Sequence, residues 1–174
     1  MTEEEEIDHI RRVRDGETAA FGALVEAWQA PLLRYLTSLL QDHHRLAEDL
    51  AQDVFIEAYR KLADFDAQRS RFSTWLFLRA RSRAINALRK KRPELMAEPP
   101  EVIAADTPSE EREKLRMLDA AFHRLPPNQR RAFQLAVIEG IPHEEVAQIE
   151  GVAIGTIKSR VNRARTYLKS QIEV

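Results

Sequence analysis

Apolar residues recur along most of this 174-residue chain at three- and four-residue spacing. No stretch keeps for long the two-residue alternation of a half-buried strand. The spacing predicts helices near 5–14, 18–40, 45–63, 71–91, 108–123, 127–138, 143–150 and 154–171. Asp15 and Gly16 read as a stop between the first two. In RLAEDLAQDVFIEAYRKL (45–62), Ala47, Ala51, Val54, Phe55, Ala58 and Leu62 share one face. Asp49, Gln52, Asp53, Ile56 and Arg60 fall on the other. In RFSTWLFLRARSRAINALRKKR (71–92), Phe77, Ala80, Ala84 and Leu88 form the inward stripe. The opposite stripe is Trp75, Arg79, Ser82, Asn86 and Arg89, with Arg83 beside it. In the last helix Ile157, Val161, Ala164 and Leu168 face inward, whereas Ser159, Asn162, Arg163 and Thr166 point away, flanked by Lys158 and Lys169.

The periodicity breaks once. PELMAEPPEVIAADT (93–107) holds three of the eight prolines and lacks a helical pattern, so it reads as a linker. It ends on a capping box, with Thr107 as the cap, Pro108 at the first helical position and Glu110 three residues after the cap. The expected fold is therefore all-α: an N-terminal helical domain over 1–92, a flexible linker over 93–107 and a C-terminal domain over 108–174. IPHEEVAQIEGVAIGTIKSRV has the layout of a helix-turn-helix. A short helix after Pro142 buries Val146, Ala147 and Ile149, Gly151 supplies the turn, and a longer helix starts near Ile154.

Charge changes this picture more than composition does. The formal net charge is −1, but it is segregated. Residues 1–57 carry 13 acids and 5 bases, net −8, and residues 58–92 carry 2 acids and 11 bases, net +9. Residues 93–152 carry 12 acids and 6 bases, net −6, and residues 153–174 carry 1 acid and 5 bases, net +4. Two basic islands in an acidic background suit a protein that meets a polyanion in two places. The absence of cysteine excludes disulfides, thiolate metal sites and cysteine nucleophiles. No apolar run approaches the ~20 residues of a membrane span, and the acidic start MTEEEEIDH is not that of a signal peptide. A cytoplasmic location, with no membrane contact of its own, is the expectation.

Each island carries a candidate surface. The outer face of the last helix mixes side chains that read base edges (Arg163, Asn162, Ser159) with lysines suited to phosphates (Lys158, Lys169). The upstream stripe aligns a tryptophan with guanidinium and amide groups, which suits single-stranded nucleic acid. A competing reading has Trp75 closing the core, with solvated arginines around it. On the preceding helix, Ile56 amid acidic and amide side chains suits a protein partner with a basic surface.

AEDLAQDVFIEAYRKLADFD, FSTWLFLRARSRAINALRKK and LPPNQRRAFQLAVIEGIPHEEVAQIEGVAIGTIKSRVNRAR resemble, in order and spacing, three signature stretches of bacterial extracytoplasmic-function (ECF) sigma factors. The resemblance covers about 18–92 and 109–172. It implies that Asp49, Gln52, Asp53, Phe55 and Ile56 dock on the clamp helices of the largest subunit of core RNA polymerase. Phe65 and the loop 64–71, with Ser82 and Asn86, would capture a flipped base of the minus-ten element. The stripe read from the spacing adds Trp75, Arg79, Arg83 and Arg89 as expected contacts to the same single strand. Lys158, Ser159, Asn162 and Arg163 would read the minus-thirty-five duplex, and Lys169, flanking the same face by spacing, would join them. The linker would run through the polymerase's RNA exit path, the flap of the second-largest subunit would be a further contact, and an anti-sigma factor is expected to control the protein. Ser82 stands where many members have Asn, and Pro142 where Ser or Thr is usual.

The alternative is a helix-turn-helix regulator whose N-terminal domain senses a ligand or dimerises. It leaves the Trp/Arg stripe and the acidic face unexplained. Nothing points to an enzyme. No phosphate-binding glycine loop or nucleophile motif occurs, and His43 and His44, adjacent in a turn, lack further metal ligands. The expectation is an initiation subunit without catalysis, cofactor or metal.

Overall fold

The computed structural model describes residues 1–41, 43–90 and 110–172, without the side chains of 110–115 and 172. The described residues form helices and turns only, and two compact units divide the chain, Met1–Ala97 and Glu98–Val174. The predicted linker, 93–107, lies outside the described residues, as does the cap predicted on Thr107 and Pro108 with the Glu110 side chain.

The first unit contains α1 (Glu3–Arg14), α2 (Ala20–Leu39), α3 (His44–Arg60) and α4 (Phe72–Lys90). Helix α1 starts two residues before its predicted bound because Thr2 and Glu5 form a capping box. It ends on Gly16 at φ 100°, with Glu17 N–H donating to Arg12 O and Gly16 N–H to Val13 O. That is the Schellman pattern, which needs the left-handed residue glycine supplies. Helix α3 is shorter than its predicted span, and a 3-10 turn, Leu62–Asp64, follows it. Around α2 the core is Leu24, Leu32, Tyr35 and Leu36 against Ala47, Val54 and Ala58 of α3 and Leu76, Phe77, Ala80 and Ala84 of α4. The Phe77 ring meets Tyr35 edge-on at 5.2 Å and Trp28 at 6.0 Å. The alanines on α3 and α4 leave room for the helix pair to approach closely.

The second unit contains α5 (Glu110–Arg124), α6 (Pro127–Phe133), α7 (His143–Glu150) and α8 (Ile154–Ile172). Helices α5, α6 and α7 all pack on α8. Buried Ala121 of α5, and Leu125 just after that helix, meet Ala164 and Leu168 of α8. Val146, Ile149, Ile157 and Val161 are buried as their spacing predicts. The predicted helix 127–138 departs from regularity: after Phe133 it widens into a π-turn, Gln134–Ile138, closed by Glu139 N–H to Gln134 O at 2.9 Å. Gly140 then turns at φ 67°. Gln134 and Leu135 stay buried, while Val137 and Ile138 emerge at the surface.

Candidate nucleic-acid interface

The turn of the helix-turn-helix is fixed by Gly151, left-handed at φ 63°. Val152 N–H donates to Ala147 O and Gly151 N–H to Gln148 O, again the Schellman pattern. An ion-pair network then ties the first helix of the motif to its neighbours. Glu150, almost fully buried, accepts from Arg131 Nε at 3.1 Å and lies 3.7 Å from Arg160 Nη1. A buried carboxylate needs such partners, because desolvation otherwise costs more than the fold can return. With α8 held on α6 and α7, Lys158, Ser159, Asn162, Arg163 and Lys169 are all exposed. Thr166 shares that face. The two faces of α8 thus match their predicted directions.

Helix α3 presents Asp49, Gln52, Asp53 and Ile56 to solvent, with Ile56 half exposed. Tyr59 adds a second exposed apolar surface one turn on. Phe55 is different: its ring is buried in the core, so it supports this face from beneath rather than forming part of it. The reason is helical phase, since Phe55 sits next to Val54 on the stripe that meets α2 and α4.

On α4, Ser82, Asn86 and Arg89 are exposed as predicted. The other four expected contacts, Phe65, Trp75, Arg79 and Arg83, are engaged within the protein. Phe65 is buried, its ring edge-on to Phe72 at 5.9 Å and to Trp75 at 5.4 Å. Trp75 is therefore a half-buried member of an aromatic cluster and not an open platform, and the Arg79 guanidinium covers its face at 4.1 Å. Arg79 Nη1 also donates to Glu57 Oε1 at 2.7 Å. Arg83 Nε donates to Glu57 Oε2 at 2.7 Å and Arg83 Nη1 to Asp53 Oδ2 at 3.3 Å. Lys61 Nζ adds a contact to Glu57 Oε1 at 3.1 Å. Hydrogen bonding from Arg83, against the opposing effect of burial and with help from Lys61, holds the Glu57 carboxyl below its ordinary range.

The sequence gives little warning of Glu57, because its partners on α4 lie 22 and 26 residues away. The same holds for Arg14. Its Nη2 donates to the carbonyls of Leu62, at 2.8 Å, and Phe65, where the loop 64–71 begins. Glu3 reaches the end of that loop, 3.1 Å from Arg71 Nε. Inside the loop Asp66 Oδ1 accepts from Gln68 N–H at 2.9 Å, a local turn that asparagine and aspartate favour.

Comparison with known proteins places the chain in a class. Residues 24–94 match the family model of sigma-70 region 2, and residues 115–168 that of sigma-70 region 4. The RNA polymerase sigma-H factor of Pseudomonas aeruginosa is 33% identical, over 99% of this chain and 96% of its own. The ECF RNA polymerase sigma factor RpoE of Cereibacter sphaeroides is 34% identical, over 94% of this chain and 92% of its own. Among solved structures, the sigma factor RpoE of Bartonella quintana, in complex with the anti-sigma factor NepR, superposes with a TM-score of 0.67 at 32% identity. That match covers 88% of this chain and 97% of the other. The chain belongs to the ECF sigma factors of RNA polymerase, a family of transcription-initiation factors. Among the described residues no helix is long and apolar enough to cross a membrane, and no group of three or more His, Asp or Glu could hold a metal ion.

Proposed function

We propose that the protein directs core RNA polymerase to promoters by reading minus-thirty-five duplex with α8 and capturing melted minus-ten bases with α4 and the loop 64–71. The observation that carries the reading is the outer face of α8, where Lys158, Ser159, Asn162, Arg163 and Lys169 are exposed together. A helix with one face locked in a core and the other offering base-edge and phosphate partners suits the major groove. Helix α3 docks on the clamp helices of the largest polymerase subunit through Asp49, Gln52, Asp53 and Ile56, and the flap of the second-largest subunit receives the C-terminal unit. Polymerase joins two moderate DNA sites, so their affinities combine without either being strong alone. Base capture costs a few kcal/mol of unstacking, which binding in the pocket offsets. A cytoplasmic location and control by an anti-sigma factor belong to the same reading. The second is supported by the Bartonella quintana relative, which is seen with NepR.

The test is co-purification with core polymerase, followed by promoter opening reported by 2-aminopurine in the minus-ten element. Wild-type protein should form holoenzyme and open the promoter without nucleotide hydrolysis. Gln52→Arg with Ile56→Asp should abolish holoenzyme and leave the fold intact, because both positions are exposed. Wild-type yield from the double variant would reject the docking face. A protein that binds promoter duplex alone, and never polymerase, would point to a conventional helix-turn-helix regulator instead.

A further inference from the structure

Glu57 is a carboxylate ringed by three cations, Arg79, Arg83 and Lys61, and with Arg83, Lys61, Asp53, Ile56 and Arg60 it lines a shallow groove of about 300 Å³. Two of those cations stand on α4, one turn from exposed Ser82 and Asn86. The groove is open, and Arg83 keeps more than a third of its side chain exposed. Convergent guanidinium donors on a single anion, with an ammonium beside them, are also the chemistry that holds a phosphodiester. We propose that the Glu57 carboxylate is an intramolecular stand-in for a backbone phosphate of single-stranded DNA, and that it gives up Arg79 and Arg83 when the strand binds. The inference rests on the reading of α4 as the single-strand surface.

The exchange conserves charge: one singly charged oxyanion leaves the guanidinium groups and another takes its place. Without DNA, Glu57 keeps the two arginines ordered and keeps Arg79 laid on Trp75. It also lowers the positive field that would otherwise attract any polyanion. Asp53 holds the outer nitrogen of Arg83 and sits on the face assigned to polymerase docking. A basic polymerase surface that engages Asp53 would weaken its hold on Arg83, so docking favours the exchange. Glu57 is thus a positioning and competing residue rather than a DNA contact.

The experiment uses the full chain and a fluorescein-labelled single-stranded DNA of randomised sequence, with binding followed by anisotropy across a salt series. Glu57→Gln keeps the size and one acceptor but removes the competing charge. It should bind about tenfold tighter at low salt, with the gain shrinking as salt screens the field. A merely structural ion pair predicts the opposite, weaker binding together with a lower melting temperature. Unchanged or weakened binding by a folded Glu57→Gln protein overturns the proposal. The wild-type chain provides a readout that no folding failure can spoil. With ¹³C-labelled glutamate, saturating single-stranded DNA should move the Glu57 carboxyl pKa upward as its cations leave, and a static pKa overturns the proposal as well. Arg79→Ala and Arg83→Ala separate the two levels. If both leave strand binding intact, α4 is not the strand surface and the underlying reading fails. If both weaken it while Glu57→Gln gives no gain, only the stand-in role fails.

Discussion

The Trp28 indole donates its Nε1–H to Glu6 Oε1 at 2.8 Å, inside the first unit, where Glu6 is almost fully buried. Burial pushes the Glu6 carboxyl up from 4.5 to about 7; Glu3 adds to the shift, while the Trp28 bond, the N-terminal ammonium and Arg71 oppose it. An acid whose folded pKa lies above its unfolded one contributes stability that is fully present below about 4.5 and lost as pH rises to about 7. The loss attributable to Glu6 is on the order of 3 kcal/mol, from roughly 1.4 kcal/mol per pKa unit. Glu6→Gln keeps an acceptor for Trp28 and has no charge to bury. In urea melts at pH 5 and pH 8 the variant should gain on wild type by up to that amount at the higher pH. Parallel pH profiles would show that Glu6 does not titrate in this range.

Arg14 straps α1 to the start of the loop 64–71 through the carbonyls of Leu62 and Phe65. Its removal leaves acceptors without a charged donor, worth about 1–3 kcal/mol where the site is part-buried. Arg14→Ala should raise hydrogen exchange in the loop while the central turns of α2 and α3 stay protected. Arg14→Lys should recover part of that protection, since an ammonium reaches one carbonyl but cannot fork across two. Equal exchange in wild type and Arg14→Ala would remove the strap.

Much of this was legible beforehand, for a specific physical reason. Helical periodicity dictates which way Ile157, Val161, Ala164 and Leu168 point, and all four are buried. It does the same for Ala47, Ala51, Val54, Phe55, Ala58 and Leu62. The π-turn at Gln134–Ile138 was not legible, because apolar spacing there fits an ordinary helix equally well. Nor were the electrostatic partners. Trp75, Arg79 and Arg83 share a stripe by local spacing, but Glu57 reaches them only through the packing of α3 on α4. Phe65, in a loop without periodicity, gave no sign that its ring would be buried against Phe72 and Trp75.

Glu150 lies between Arg131 of α6 and Arg160 of α8, at 3.1 and 3.7 Å from their nitrogens. Breaking a buried pair from one side leaves the other charge stranded, at a cost of about 3–5 kcal/mol. Glu150→Ala should lower the melting temperature of the C-terminal unit and weaken minus-thirty-five binding with it. Glu150→Gln, which keeps the shape and an acceptor, should cost less. A C-terminal unit that melts unchanged in Glu150→Ala would show the network to be dispensable.

Two exposed cations of α8 should fail in different ways. Arg163 lies near the middle of the outer face, beside Asn162, and its planar fork suits two acceptors on one guanine. Lys169 lies near the end of the helix, between Leu168 and Ser170, where a point charge meets a backbone phosphate more readily than a base edge. Arg163→Ala should therefore cost about 1–3 kcal/mol on the preferred sequence and relax the choice at one base pair. Lys169→Ala should weaken every sequence alike and lower the salt slope by roughly one unit. Holoenzyme selection on a randomised minus-thirty-five library, repeated at two salt concentrations, separates the outcomes. If both substitutions broaden the same base-pair position equally, α8 does not enter the groove with Arg163 toward the bases and Lys169 toward the backbone.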